Sequence, residues 1–338
     1  MNIVIVTDNL RSQVNGVVKT YKSIEKFAEV TGNHIVYLDP GQFKHISCPG
    51  YPEVKLAWPW KFKQKIEALQ PDHIHIATEG PLGLMAKLFC EKHSISYTTA
   101  YHTRFPEFVK RIYGFGQGLS YRYLKWFHKN SKAVLTPSQS MKDDLIRKGF
   151  AKNIVVWTRG VSKDIITERQ PIKGNLKPQV LYVGRVSKEK GLDDLCKLQD
   201  TYDITVVGDG PYLKNLRQKY NNVIFPGYKF GKQLAKYYAS ADVFCFPSKT
   251  DTFGIVIIEA LCNGTPVAGY NVTGPKDIIQ LGVTGFYGDN LKDQIEHCMT
   301  LNKLKIRKIS QEKWSWKKCW DIFYEEISKT TNEDAPIK

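Results

Sequence analysis

No stretch of the 338 residues approaches the run of about 18 apolar residues that a membrane-spanning helix needs. Met1 leads straight into the strand-like Asn2-Ile-Val-Ile-Val-Thr7, without the basic and then apolar segments of a secretory leader. These absences point to a cytoplasmic protein. The seven cysteines, at 48, 90, 196, 245, 262, 298 and 319, form no CxxC pair, which argues against a disulfide framework and against a thiolate zinc site. Reduced thiols in a core are expected instead. No DxD stands at a strand end, so no metal is expected. Gly208-Asp-Gly-Pro211 lacks the third glycine of GxGxxG, so a nicotinamide dinucleotide is not supported and no cofactor is expected. RRM, KH and zinc-finger signatures are missing as well, which leaves nucleic acid as the weaker reading of the basic charge.

The chain is longer than one core usually organises, and two domains of roughly 150 residues are the prior. A hydrophobic content of 42% can fill both. The net charge of +16 asks for an anionic partner and is unevenly spread. Residues 1–170 hold 25 Lys and Arg against 14 Asp and Glu, and residues 171–338 hold 24 against 19.

Short apolar runs alternate with helical segments throughout, which predicts parallel sheets with helices on both faces. The strands are expected near 3–7, 34–38, 73–77, 96–100, 132–136 and 153–157. In the second half they are expected near 179–184, 203–208, 223–226, 242–246, 265–268 and 284–287. Between the halves, the polar and aperiodic Arg169-Gln-Pro-Ile-Lys-Gly-Asn-Leu-Lys-Pro178 reads as a linker. In such sheets ligands collect at the C-terminal ends of the strands, here expected in a cleft between two doubly wound halves.

The most informative stretch is Ser248 to Gly269, SKTDTFGIVIIEALCNGTPVAG. Asp251 and Thr252 precede the apolar run Phe253 to Leu261 and predict a capped helix that Gly264 stops, with Glu259 just over two turns inside it. Two readings stand for Asp251: an N-cap favoured by the helix dipole, or a contact to ligand hydroxyls. Glu259 lies in an apolar helix with Asn263 rather than a base four residues on.

Several strand ends carry suggestive loops. Gly16 lies where the first strand hands over to a helix, and Glu79-Gly-Pro-Leu-Gly83 repeats that arrangement after the third. Tyr101-His102-Thr103-Arg104 puts a histidine at the edge of the fourth, either structural or functional. Val183-Gly-Arg-Val-Ser-Lys-Glu-Lys-Gly191 flanks a turn with Arg185 and Lys190, a fork and a point charge able to hold a diphosphate. Thr273-Gly-Pro275 offers further amides. Two basic stretches, Lys55–Lys65 and Arg104–Lys132, interleave lysine and arginine with aromatic rings. They suit an anionic membrane surface, and equally a solvated basic face with rings packed inward.

VGRVSKEKG, VGDGP, ADVFCFPSKTDTFGIVIIEALCNGTPV and GVTGF, in this order, resemble the C-terminal domain of retaining glycosyltransferases of family 4. NGVV, HIATEGPLG and YHTRFPEF extend the likeness into the first half, similar to sulfoquinovosyl-diacylglycerol synthases and bacterial lipid α-mannosyl- and α-glucosyltransferases. The resemblance spans residues 1 to about 330. It implies an α/β GT-B fold: two doubly wound Rossmann-like domains facing across a cleft. Residues 1–165 would bind the acceptor and 172–315 the nucleotide-sugar donor, with a last helix of about 316–330 packed back on the first domain.

The resemblance also implies roles. Arg185 and Lys190 match the pair that neutralises the donor diphosphate, Glu259 the acid on the ribose, and Asp251 the acid near the sugar hydroxyls. The family usually has Glu at that last position, so Asp251 is one methylene short. Gly208, Thr252, Phe253 and Gly254 join the donor set, and Tyr228 and Lys229 lie where the base packs. His102 matches the histidine near sugar and acceptor. Gly16 serves donor and acceptor, with Asn15, Glu79 and Arg104 on the acceptor side. Trp157-Thr-Arg-Gly-Val-Ser162 resembles the motif before the linker, with Ser162 in place of its usual Asp. The partners implied are a nucleotide-sugar donor, a lipid or glycan acceptor and an anionic membrane surface, without nucleic acid. The protein would then sit peripherally on the cytoplasmic face of a membrane.

Overall fold

A computed structural model describes residues 1–338 except 14–15, 49–50, 103–105, 107–115, 151–152, 169–175, 250, 252 and 332–338. Asn15, Arg104, Thr252 and most of the linker thus lie outside the described residues. The chain divides into two compact units, Met1–Arg159 with Trp316–Lys338, and Gly160–Ser315.

The first unit runs β1 (Asn2–Val6), α1 (Gly16–Val30), β2 (His34–Leu38), β3 (His45–Cys48), β4 (Tyr51–Ala57), α2 (Phe62–Ala68), β5 (His73–Ile76), α3 (Pro81–Lys92), β6 (Tyr97–Ala100), α4 (Gln117–His128), β7 (Val134–Thr136), α5 (Gln139–Arg147) and β8 (Ile154–Val156). Its main sheet is parallel, in the order β2-β1-β5-β6-β7-β8. Strands covered on both faces read as unbroken apolar runs, and Ile3, Val4, Ile5 and Val6 are fully buried. Successive residues serve opposite layers: Ile3 and Ile5 face one core, Val4 and Val6 the other.

The second unit runs β9 (Gln179–Val183), α6 (Leu192–Cys196), β10 (Asp203–Val207), α7 (Leu213–Lys219), β11 (Ile224–Gly227), α8 (Gly231–Ser240), β12 (Val243–Phe246), α9 (Ile255–Cys262), β13 (Val267–Tyr270), α10 (Thr273–Ile278), β14 (Gly285–Gly288), α11 (Leu291–Cys298) and α12 (Lys303–Lys313). Its sheet, β11-β10-β9-β12-β13-β14, is parallel and has the doubly wound order of dinucleotide-binding folds. The order reverses between β9 and β12, and in the first unit between β1 and β5. Loops at the C-terminal ends of those strands hold most of the candidate residues.

The chain then returns to the first unit as α13 (Trp316–Thr331). Trp316, Cys319, Trp320, Phe323 and Ile327 recur at helical spacing and bury one stripe in the core that α1 fills with Tyr21, Ile24 and Ala28. Cys90, Cys196, Cys245, Cys262, Cys298 and Cys319 are buried free thiols.

The structure departs from the sequence reading in two places. β3 and β4 form an antiparallel pair, with Ile46 opposite Leu56, where no strand was expected. The helix after Ser248 begins only at Ile255, so Asp251 does not cap it. Its cap residue is Gly254, at φ +87°, a conformation outside the helical region that L side chains rarely adopt. Glu259 consequently sits just over one turn into α9, not two. Gly264, at φ +82°, follows the end of the helix as expected.

Candidate active site

In the second unit the loops after β9 and β10 are interlocked through backbone. Gly184 N–H donates to Val207 O at 3.0 Å, Val186 N–H to Asp209 O at 2.9 Å and Tyr212 N–H to Val186 O at 3.0 Å. A Cβ on Gly208 would lie 1.9 Å from Gly184 O, and one on Gly210 2.3 Å from Val186 O. The glycines of Gly208-Asp-Gly-Pro211 are thus required by the chain's own close approach, which fixes the path that presents Arg185. Arg185 is exposed, and its carbonyl accepts from Tyr182 Oη at 3.1 Å.

Lys190 ends a short 3₁₀ turn, Lys188–Lys190, closed by Gly191 at φ +66°. Its ammonium lies 2.5 Å from Asp251 Oδ1, with the two side chains only 19% and 27% exposed. The acid that the sequence offered as a helix cap is therefore an ion-pair partner of the candidate diphosphate cation. Phe253 anchors this loop, buried edge-on against Trp314 with ring centroids 6.0 Å apart. Gly274 lets the start of α10 lie against it, since a Cβ there would be 3.1 Å from Phe253 O.

Glu259 is 5% exposed, and its Oε2 accepts from Tyr238 Oη at 3.0 Å. Burial, and then the neighbouring Glu259 carboxylate, push the Tyr238 phenol well above its usual range and keep it a donor. Asn263 Nδ2 donates to the Glu259 carbonyl at 2.9 Å and to Ile165 O at 2.8 Å, joining α9 to the turn Lys163–Ile165. After β11, Tyr228 is 57% exposed and stacks on Phe230, and Lys229 Nζ donates to Pro226 O at 2.9 Å.

In the first unit, Gly16 opens α1, and a Cβ there would meet none of the described residues within 4 Å. The described residues give no steric reason for a glycine at this point. Glu79-Gly-Pro-Leu-Gly83 is different, because its glycines are filled by the chain. A Cβ on Gly80 would lie 2.5 Å from Asp8 Cγ, and one on Gly83 1.9 Å from Thr78 O. Asp8 takes the amides at the start of α3, Leu82 N–H at 2.8 Å and Gly83 N–H at 3.4 Å, and Thr78 Oγ1 at 2.7 Å. The amides expected to face an anion thus already hold the protein's own carboxylate. Glu79 Oε1 lies 3.4 Å from His128 Nε2, and the Glu79 carbonyl accepts from Tyr123 Oη.

Burial raises Asp8 from the ordinary carboxylate range to about 6, against the lowering effect of its hydrogen bonds. Between pH 4 and 6 the folded chain therefore holds a proton there that the unfolded chain has lost. The resulting stability is complete below about pH 4 and lost as pH rises through 6. The urea midpoint should fall with rising pH across this window by the equivalent of up to ~3 kcal/mol, a component that Asp8→Asn lacks. A difference between wild type and variant that stays flat from pH 4 to 7 would exclude it.

His102 follows β6 and is half-buried. Arg159 Nη2 reaches its Nδ1 at 3.0 Å, and Tyr21 Oη its Nε2 at 3.2 Å. Burial, then the Arg159 charge, then His75 hold its pKa well below the usual imidazole value, so the ring is neutral. Arg159 is itself buried, with its guanidinium over the Trp157 ring at 5.2 Å, and no carboxylate among the described residues pairs with it.

Residues 164–315 match the family described as Glycosyl transferases group 1, and residues 24–164 match Glycosyltransferase Family 4. The chain belongs to the family 4 glycosyltransferases. It is 31% identical over 276 residues to sulfoquinovosyl transferase SQD2 of Arabidopsis thaliana, covering 75% of this chain and 54% of that protein. A GDP-mannose-dependent alpha-mannosyltransferase of Corynebacterium glutamicum is 28% identical, with 86% and 77% covered. Alpha-monoglucosyldiacylglycerol synthase of Streptococcus pneumoniae is 27% identical, with 86% and 76% covered. Among solved structures, sucrose-phosphate synthase from Thermosynechococcus elongatus superposes with a TM-score of 0.75 at 18% identity, over 98% of this chain and 99% of that one. Anabaena HepE in complex with UDP gives 0.73 at 18%, over 97% and 100%. These likenesses show the GT-B glycosyltransferase fold.

In this glycosyltransferase the loops after β9 and β12, at the switch point of the second unit's sheet, carry Arg185 and Lys190 on one side and Asp251, Phe253 and Gly254 on the other, joined by the Lys190–Asp251 pair, while Gly208 follows the neighbouring β10. Glu259 and the exposed Tyr228 with Lys229 stand on neighbouring elements. The first unit holds Gly16, Glu79 and His102. Sequence reasoning missed Asp8, Tyr21, His75 and Arg159. The signals were present: His73-Ile-His75 places two histidines on one face of a buried strand, and Arg159 sits inside Trp157-Thr-Arg-Gly-Val-Ser162.

Proposed function

We propose that this glycosyltransferase moves a hexose from a nucleotide sugar of the UDP-glucose or GDP-mannose type to a hydroxyl of a membrane lipid or glycolipid, with retention at the anomeric carbon and without a metal ion. The observation that carries the reading is the Lys190–Asp251 ion pair, which joins the loops after β9 and β12 at the switch point of the second sheet, with Arg185 exposed on the first of those loops. Cleaving the bond from sugar to diphosphate leaves positive charge on the anomeric carbon and negative charge on the departing phosphate. The Arg185 fork and the Lys190 ammonium stabilise the latter, the part a metal would otherwise play, at a few kcal/mol per donor. Asp251 and Glu259 hold sugar and ribose hydroxyls. The acceptor hydroxyl enters on the face the phosphate leaves, its oxygen bonds to the anomeric carbon, and its proton passes to a phosphate oxygen. That no described residue comes within 4 Å of a Cβ on Gly16 suits a ligand's approach there.

The lipid acceptor rests on the diacylglycerol in the name of one relative and on the surface of the first unit. Trp58 and Trp60, just past β4, are each 71% exposed, with Lys61 and Lys63 exposed beside them. Phe62 and Phe127, from the same basic-aromatic stretches, are buried, so only part of each stretch faces outward. Exposed indoles among lysines suit a lipid headgroup interface.

Two measurements test this. UDP- and GDP-sugars are screened for a rise in thermal midpoint and for slow release of nucleoside diphosphate, and one donor class should give both. Sedimentation with anionic vesicles at low salt should show binding that Trp58→Ala with Trp60→Ala weakens roughly tenfold. No donor response ends the transferase reading. No vesicle binding, together with activity on soluble sugars, moves the acceptor to a soluble glycan.

A further inference from the structure

The hydrogen bonds of His102 continue inward as a single file. Tyr21 Oη, on α1, reaches His75 Nε2 at 2.7 Å, and His75 Nδ1 reaches Thr98 Oγ1 at 2.8 Å. Thr98 Oγ1 is 2.9 Å from His73 Nε2, His73 Nδ1 is 3.1 Å from Thr330 Oγ1, and Thr330 donates to Ile327 O at 2.6 Å. His75, Thr98 and Tyr21 are at most 1% exposed, and His73 is 2% exposed.

Both ends of this file have a fixed polarity. A guanidinium only donates and a carbonyl only accepts. Arg159 must therefore donate to Nδ1 of His102, which in a neutral ring leaves the proton on Nε2, directed at Tyr21 Oη. Tyr21 then donates to His75 Nε2, so His75 carries its proton on Nδ1 and gives it to Thr98. Thr98 donates to His73 Nε2, and His73 donates from Nδ1 to Thr330. The links of the file then all run in a single direction from Arg159 to Ile327. Reversing any link would leave two donors or two acceptors face to face in the core, which costs more than the bond itself.

We propose that His102 is a positioning residue in this transferase and not a proton carrier. Arg159, Tyr21, His75, His73 and Thr330 lock its ring as the neutral Nε2–H form. Its two nitrogens are spent inside the protein, and the ring holds the end of β6 in place. Among the described residues, the groups facing it are the Tyr21 phenol from α1, the His75 imidazole from β5 and the Arg159 guanidinium beyond β8, with the Cys319 thiol of α13 next to Arg159. None supplies a negative charge that would draw a proton onto the ring. The catalytic half of this proposal rests on the transferase reading; the hydrogen-bond half does not.

The full chain labelled with ¹⁵N-histidine, followed from about pH 5.5 to 8, decides it. His102, assigned through His102→Gln, should show its proton on Nε2, while His75 and His73 show theirs on Nδ1, with no titration of His102 or His75. A proton on Nδ1 of His102, or a midpoint inside that range, overturns the proposal. Arg159→Met removes both the fixed donor and the charge. It should bring His102 into titration and give kcat an acidic limb of at least tenfold that wild type lacks, and Arg159→Lys should restore the wild-type pattern. A kcat profile in Arg159→Met identical to wild type removes the catalytic half. If the locked pattern is found but no nucleotide sugar is turned over, the transferase reading fails and the lock stands; if sugar is turned over while His102 titrates, the reverse holds.

Discussion

Lys190→Met is expected to lower kcat for transfer from the nucleotide sugar about 100- to 1,000-fold and to abolish thermal stabilisation by the donor. Methionine keeps the length of the side chain and removes its charge. The loss is twofold, because the Lys190 ammonium sits 2.5 Å from Asp251 Oδ1. Removing it deletes the cation and also releases a carboxylate beside the place where the diphosphate would develop negative charge. Lys190→Met with Asp251→Asn should therefore recover part of the rate lost in the single variant, a coupling that an unpaired lysine would not show. Folding is not the cause, since breaking a pair of which 19% and 27% is exposed costs about 1–2 kcal/mol, a small part of a domain's stability. The thermal midpoint without donor should move by only a few degrees. Retention of kcat within threefold, with the donor shift intact, would remove Lys190 from the diphosphate site and with it the central support for the proposed mechanism.

Gly208→Ala is expected to destabilise the second unit by about 3 kcal/mol, lowering its thermal midpoint by roughly 6–12 °C. Gly208 stands at φ +138°, and its Cβ would lie 1.9 Å from Gly184 O. That oxygen cannot retreat, because Gly184 N–H and Val186 N–H are held by Val207 O and Asp209 O on the neighbouring loop. The clash is thus passed to the segment that presents Arg185, and donor binding should fall along with stability. Gly16→Ala provides the contrast. With none of the described residues within 4 Å of the new methyl, its stability should stay within about 0.5 kcal/mol of wild type. Equal thermal midpoints for the Gly208 and Gly16 variants would contradict this account.

Much of this was legible in the sequence because parallel strands buried on both faces must be written as continuous apolar runs. Asn2-Ile-Val-Ile-Val6 and Val243-Phe-Cys-Phe246 could hardly be anything else. The β3–β4 pair was not read, since Lys55, Ser47 and His45 give it no such run, and its pairing depends on two strands finding each other. The start of α9 was misplaced because Asp251-Thr-Phe-Gly254 has the composition of a helix cap. The decisive residue is Gly254, whose φ of +87° ends one path and begins another. The site divides the same way. Arg185 and Lys190 lie five positions apart around one turn and announce themselves. The file behind His102 joins residues 21, 73, 75, 98, 102, 159 and 330, and only tertiary structure brings these together.

The first unit is closed by α13, whose Trp320 and Phe323 complete its core from the far end of the chain, while Gly160–Ser315 is continuous. During synthesis the order of emergence is therefore not the order of completion. The second unit can reach its final form on the ribosome while the first, although translated earlier, still exposes the groove along α1 and waits for its last sixteen-residue helix. Any stall or cut between the two, in the stretch after Ser315, would leave a finished second unit tethered to an open, sticky one.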